Sequence, residues 1–151
     1  MTVHAEWSGK LDSPDLPGAA ALFYAVHGDP GEQFTLVANQ SLALDAMYFI
    51  AVERPGEDAM GLTQNPAVPT EVLEILALRF PDEVDFVNNH PNASLARKRS
   101  LTAVNCSGYT LAKFFESVRA TSAEEAKYHV LLDDAPAMTT LGALWSSVRK
   151  I

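Results

Sequence analysis

Few side chains in this 151-residue chain are of types that do chemistry, and their spacing does not gather them. There is one cysteine, Cys106, and the histidines are His4, His27, His90 and His129. A catalytic thiol needs a helix start, a cation or a paired base to lower its pKa. The residues flanking Cys106 in sequence (Val104, Asn105, Ser107) supply none of these, so it is read as a buried or half-buried thiol. No two histidines stand at helical ligand spacing, and one cysteine cannot build a cysteine-based metal cage or a disulfide. His90 occupies a turn position shared with Asn65, Gln40 and Asp134, where a polar side chain is expected to bond the backbone of the turn. Neither a G-x-S-x-G elbow, a Walker loop, a dinucleotide-binding glycine motif nor H-E-x-x-H occurs in the sequence. The expectation is a protein that is not an enzyme and uses no metal or cofactor.

Charge is the more suggestive feature. From Asp29 to Asp85 there are eleven acidic residues against two basic ones, Arg54 and Arg79. Glu53, Glu57 and Asp58 recur as Asp82, Glu83 and Asp85, with Glu71 and Glu74 between them. Stacked units would bring these carboxylates into one ridge. Such a ridge either caps short helices and keeps the chain soluble, or forms a docking face for a basic partner, which would raise association rates and salt dependence. A field of this sign disfavours nucleic acid and anionic membrane. The run Arg97-Lys98-Arg99 is too short for a nucleic-acid patch and is expected to neutralise the neighbouring acidic unit. The pairs Phe23-Tyr24, Tyr48-Phe49 and Phe114-Phe115 sit among apolar neighbours and read as core.

The elements that must carry these groups read as a repeat of about 25 residues. The clearest unit is LTQNPAVPTEVLEILALRFPDEVDF from Leu62, and the next begins at Val87, with His90-Pro91 matching Asn65-Pro66. An earlier unit begins at Val37, placing Met47 on Val72 and Ile50 on Ile75; another begins near Lys10, with Pro14 on Pro66 and Pro17 on Pro69. Beyond Val104 the pattern fades into degenerate or capping units covering 104–151. In the Leu62 unit Asn65-Pro66 is a turn, a helix begins near Pro69, and Pro81 stops it. Asp82 and Glu83 then open a shorter helix. Later helices are predicted over Tyr109 to Ala120, after a Thr121/Glu124 capping box, and from about Met138 to Val148. At repeat three, Arg97 and Lys98 fall where Val72 and Leu73 sit, so that helix is either rotated or faces solvent. No strand pattern occurs, which predicts a single all-α domain over 1–151, a short solenoid of stacked helix pairs.

The segment NPAVPTEVLEILA, followed by DEVDFVNNHP, resembles the leucine-rich repeat variant family, whose units carry an N-P-x-T-P-x-E-V-L-x-x-L-A core. The resemblance is good over Leu62 to Pro91, moderate over Lys10 to Gly61, and poor beyond Val104. It implies a right-handed superhelix of alternating α and 3-10 helices used as a binding scaffold. HEAT-like helical repeats are the near alternative. Some members of the leucine-rich repeat variant family carry a cysteine-bound iron-sulfur segment, which Cys106 alone cannot build.

Two functional expectations follow: a non-catalytic scaffold for a protein partner, or an acidic inhibitor of a basic, nucleic-acid-binding target. Cysteine usage and the lack of a basic-then-apolar leader suit a cytoplasmic, soluble protein.

Overall fold

The computed structural model describes residues 3–149, with side chains over 5–149. It is all-helical. Among the described residues there is no strand, and an isolated antiparallel bridge joins Thr102 to Thr140. No helix among them is long and apolar enough to cross a membrane. The chain separates into two compact units, residues 1–84 and 85–151.

The first unit contains α1 (Gly18–His27), α2 (Pro30–Val37), α3 (Leu44–Glu53), α4 (Gly56–Ala59) running into a 3-10 segment at Met60–Gln64, and α5 (Thr70–Arg79). Further 3-10 segments lie at Val3–Trp7 and, after α5, at Pro81–Glu83. The long helices start at Gly18, Leu44 and Thr70, steps of 26, and α1 packs on α3 as α3 packs on α5. Each is preceded by an extended residue, Pro17, Ala43 or Pro69. Proline suits that place, since its φ is preset and its missing N–H would have no helical partner.

Burial follows the same step. The buried residues are Ala20, Ala21, Tyr24 and Ala25 on α1; Ala46, Met47, Ile50 and Ala51 on α3; Val72, Leu73, Leu76 and Ala77 on α5. This corrects the 25-residue register between the units beginning at Val37 and Leu62. Met47 is equivalent to Leu73, not Val72, and Ile50 to Leu76, not Ile75. A slip of one residue rotates a helical position by about 100°; it sets the buried Ile50 against the half-buried Ile75, while Met47 still meets the buried Val72. The pairing of Pro14 with Pro66 spans two steps of 26 and agrees with the observed register.

The turns repeat as well. Asn39 Nδ2 donates to the carbonyls of Leu11 and Ser13, both at 2.9 Å, and Asn65 Nδ2 donates to those of Val37 (2.9 Å) and Asn39 (2.8 Å). Both side-chain oxygens accept from the backbone N–H two residues on, at Ser41 and Ala67. Asn39 is therefore the partner of Asn65 in the repeat, and Gln40, named from sequence for that position, is exposed.

The second unit holds α6 (Val84–Asn88, beginning at its boundary), α7 (Leu95–Ser100), a 3-10 segment at Ala103–Asn105, α8 (Gly108–Ser117), α9 (Ser122–Asp133) and α10 (Leu141–Arg149). Its core is aromatic: Phe114, Phe115, Tyr128 and Trp145 pack with Val118, Leu141, Leu144 and Val148. The Thr121/Glu124 capping box opens α9 as the sequence predicts. The last helix starts later than Met138. Backbone bonds from Ala103 N to Thr139 O (2.8 Å) and Leu141 N to Leu101 O (2.9 Å) bridge Thr140 to Thr102 ahead of the helix, and Thr140 Oγ1 accepts from Ala143 N. In α7, 25 residues on from α5, Lys98 and the C-cap Leu101 are buried where Leu73 and Leu76 are buried in α5. That helix is thus neither rotated nor turned to solvent at Lys98.

Candidate functional site

A surface concavity lies in the first unit, and its geometry begins at a helix start. Asp29 accepts from Glu32 N at 2.8 Å while Glu32 Oε1 accepts from Asp29 N at 2.9 Å, a capping box with Pro30 in the first turn. This sets the phase of α2 so that Gln33, Leu36 and Val37 face inward. Gln33 is fully buried, and its Nε2 donates to Tyr24 O (2.7 Å) and Ala25 O (3.0 Å), capping the end of α1. Gly28 belongs to this junction: a Cβ there would stand 2.5 Å from Tyr24 O.

With those positions inward, Phe34 must point out, and it is 79% exposed. The 3-10 segment approaches α2 closely because residue 61 is glycine; a Cβ there would lie 2.8 Å from Val37 Cγ2. Between these segments runs a groove of about 560 Å³ lined by Pro30, Phe34, Val37, Gly61 and Pro66, with Glu57 and Asp58 as its charged residues. Phe34 also lines a second hollow of about 480 Å³, shared with Asp12 and Pro14. No lysine or arginine lines either hollow. The first unit carries thirteen acidic and three basic residues, the second six and eight.

The predicted acidic residues fall on two layers. Glu53 ends α3, Glu71 lies in the first turn of α5 and Glu74 further along it, all on long helices. Glu57 and Asp58 open α4, and Asp82 and Glu83 lie in the short 3-10 segment. Asp85 opens α6 in the second unit. Asp58 is committed to Arg54 at 2.8 Å, whereas Glu57, Glu71, Asp82 and Glu83 are exposed. Phe34 was missed from sequence because an aromatic residue reads as core by type. The available signal was its phase, one residue past Gln33 and two before Leu36.

The side chains with potential chemistry have structural settings. His90 is buried, and its Nδ1 accepts from Asn92 N at 2.9 Å, the same bond two residues on that Asn39 and Asn65 make. Asp134, grouped with His90 from sequence, is instead the exposed C-cap of α9. The side chain of His4 lies outside the described residues. Cys106 is half-buried, its thiol directed at Ser107 O (3.4 Å), and burial pushes its pKa up to about 11 against a weaker lowering by Lys98. Lys98, read from sequence as part of a neutralising surface run, is 4% exposed and donates to Ala93 O at 2.6 Å. Desolvation and then the charge of Lys113 hold its ammonium below the usual lysine range, with a smaller opposing effect from Cys106. Tyr128 is fully buried and its hydroxyl has no hydrogen-bond partner among the described residues; desolvation, then Cys106, raises its pKa. Among the described residues no three His, Cys, Asp or Glu side chains gather in a metal-ligand arrangement.

Comparison of the chain with protein-family models, with curated proteins and with solved structures returns no match.

Proposed function

We propose that this protein is a non-catalytic scaffold, a helical-repeat solenoid of the leucine-rich repeat variant or HEAT-like type, that binds another protein in the cytoplasm. The observation that carries the reading is an apolar position repeated on the outside. Val26, Val52 and Leu78 stand 26 residues apart on α1, α3 and α5 and are all exposed, Leu78 at 83%. Apolar side chains repeated in register on packed helices, and not consumed by the core, mark an interaction face. The acidic excess argues against nucleic acid or an anionic membrane as the partner.

The reading is tested by affinity capture with the full chain, followed by titration against the captured protein once purified. Replacing Val52 and Leu78 by serine is expected to weaken that complex ~10-fold or more without changing the thermal midpoint. A complex indifferent to these substitutions, or none that survives purification, overturns it. The acidic excess of the first unit favours a second reading, an inhibitor of a basic nucleic-acid-binding protein. That reading requires a steep loss of affinity with salt, and weakening on charge reversal at Glu57, Asp58, Asp82 and Glu83.

A further inference from the structure

The groove beside Phe34 has an apolar wall and an acidic edge, a combination the core does not require. Leu36 and Val37 already bury the inner face of α2, so Phe34 adds nothing to the interior while presenting a ring to solvent beside Pro30 and Pro66. A rigid aromatic edge flanked by prolines loses little conformational freedom when covered. The hollows on either side of Phe34 carry Asp12 and Glu57 with no lysine or arginine in their lining, Asp58 being already paired with Arg54. An acidic partner would be repelled there, and a purely apolar one would leave Asp12 and Glu57 facing it without counter-charge.

We propose that this groove receives a peptide segment of a partner protein in which an aliphatic or aromatic anchor side chain is flanked by lysine or arginine. The anchor packs on Phe34 and the prolines, and the basic flanks lie against Glu57 and the Asp12 side. The inference rests on the scaffold reading and deepens it, naming the chemistry of one ligand and the place where it sits.

The test uses the full chain and three labelled synthetic peptides followed by fluorescence anisotropy. One carries a Leu-Trp anchor between Lys/Arg flanks, one has the anchor replaced by serines, and one has the flanks replaced by glutamates. The first is expected to bind ~10-fold or more tightly than either control. Phe34→Ala, which removes an exposed ring, and Ala38→Trp, which fills the groove from an exposed position in its lining, are each expected to weaken it ~10-fold with the thermal midpoint unchanged. Glu57→Lys is expected to weaken it and flatten its salt dependence. Equal binding of the serine-substituted peptide overturns the anchor. Wild-type binding by both Phe34→Ala and Ala38→Trp overturns the site. Self-association of the chain that Phe34→Ala abolishes places a second copy in the groove and overturns the peptide. None of these failures touches the complex that depends on Val52 and Leu78, so loss of the groove and loss of the scaffold reading are separable.

Discussion

The side-chain amide of Asn65 donates at 2.8 Å to the backbone carbonyl of Asn39, the residue that holds the equivalent place one repeat earlier. Asn39 in turn donates to Leu11 and Ser13, so each turn is tied to the one before it by a buried amide. Side-chain bonds of this kind satisfy carbonyls that the short helices leave open.

Removing one rung should therefore be costly. Asn65→Leu keeps the volume but removes the side-chain donor to the carbonyls of Val37 and Asn39, the latter keeping only the Leu42 N–H, and the acceptor of the Ala67 N–H, and is expected to cost about 2 kcal/mol. Asn65→Asp should cost more, because a carboxylate oxygen would face the two carbonyl oxygens. Urea denaturation measures both; a loss below about 0.5 kcal/mol for Asn65→Leu would show that the ladder is incidental.

Lys98 takes a leucine's place in the buried pattern. Lys98→Met is expected to leave stability unchanged or raise it by about 1 kcal/mol at neutral pH, since a buried charge is exchanged for packed surface. The folded pKa of Lys98 is below the ordinary 10.5, so the cost of burying the charge is fullest below that lowered value. It fades as pH rises toward 10.5. The gain from methionine should shrink over the same interval. A clear loss of stability on Lys98→Met would mean that the bond to Ala93 outweighs desolvation.

Cys106 should resist thiol reagents at neutral pH and react once the chain is unfolded, because its folded pKa of about 11 keeps it protonated. The same shift predicts an alkaline weakness. The thiol favours the fold below its ordinary value of 9.0, and that contribution is lost as pH rises toward 11. Cys106→Ala should lack this component when unfolding free energy is followed from pH 8 upward, and rapid labelling of the folded wild type would contradict the assignment.

Tyr128 supplies a ring that the core uses, edge-on to Phe115 at 5.1 Å, and a hydroxyl that no described group bonds. Tyr128→Phe keeps the ring and removes the unsatisfied oxygen. It is expected to stabilise the protein by about 1 kcal/mol, read as an upward shift in thermal midpoint. A downward shift would assign the hydroxyl a partner.

Much of the local structure was legible. Pro69 and Pro81 bracket α5 as expected, and the Thr121/Glu124 box opens α9 where its spacing places it. The equivalent signal at Asp29 and Glu32 was as plain in the sequence and passed unread. The register was only half legible. Prolines 52 residues apart align correctly, but helix starts carry few unique residues, and an alignment one residue short still matches apolar to apolar over much of a stripe.

Composition and spacing alone pointed to a helical chain, to a repeat in its first part, and to acids crowding the first half. Those properties are written in backbone preference, in proline placement and in residue counts, which need no neighbour to act. Packing decided the rest. Whether Lys98 is surface or core, whether Phe34 fills the interior or lines a groove, and which asparagine answers which depend on what stands opposite each side chain. That opposite surface comes from elsewhere in the chain, 26 positions away where Asn65 meets Asn39, and residue type along the chain does not record it.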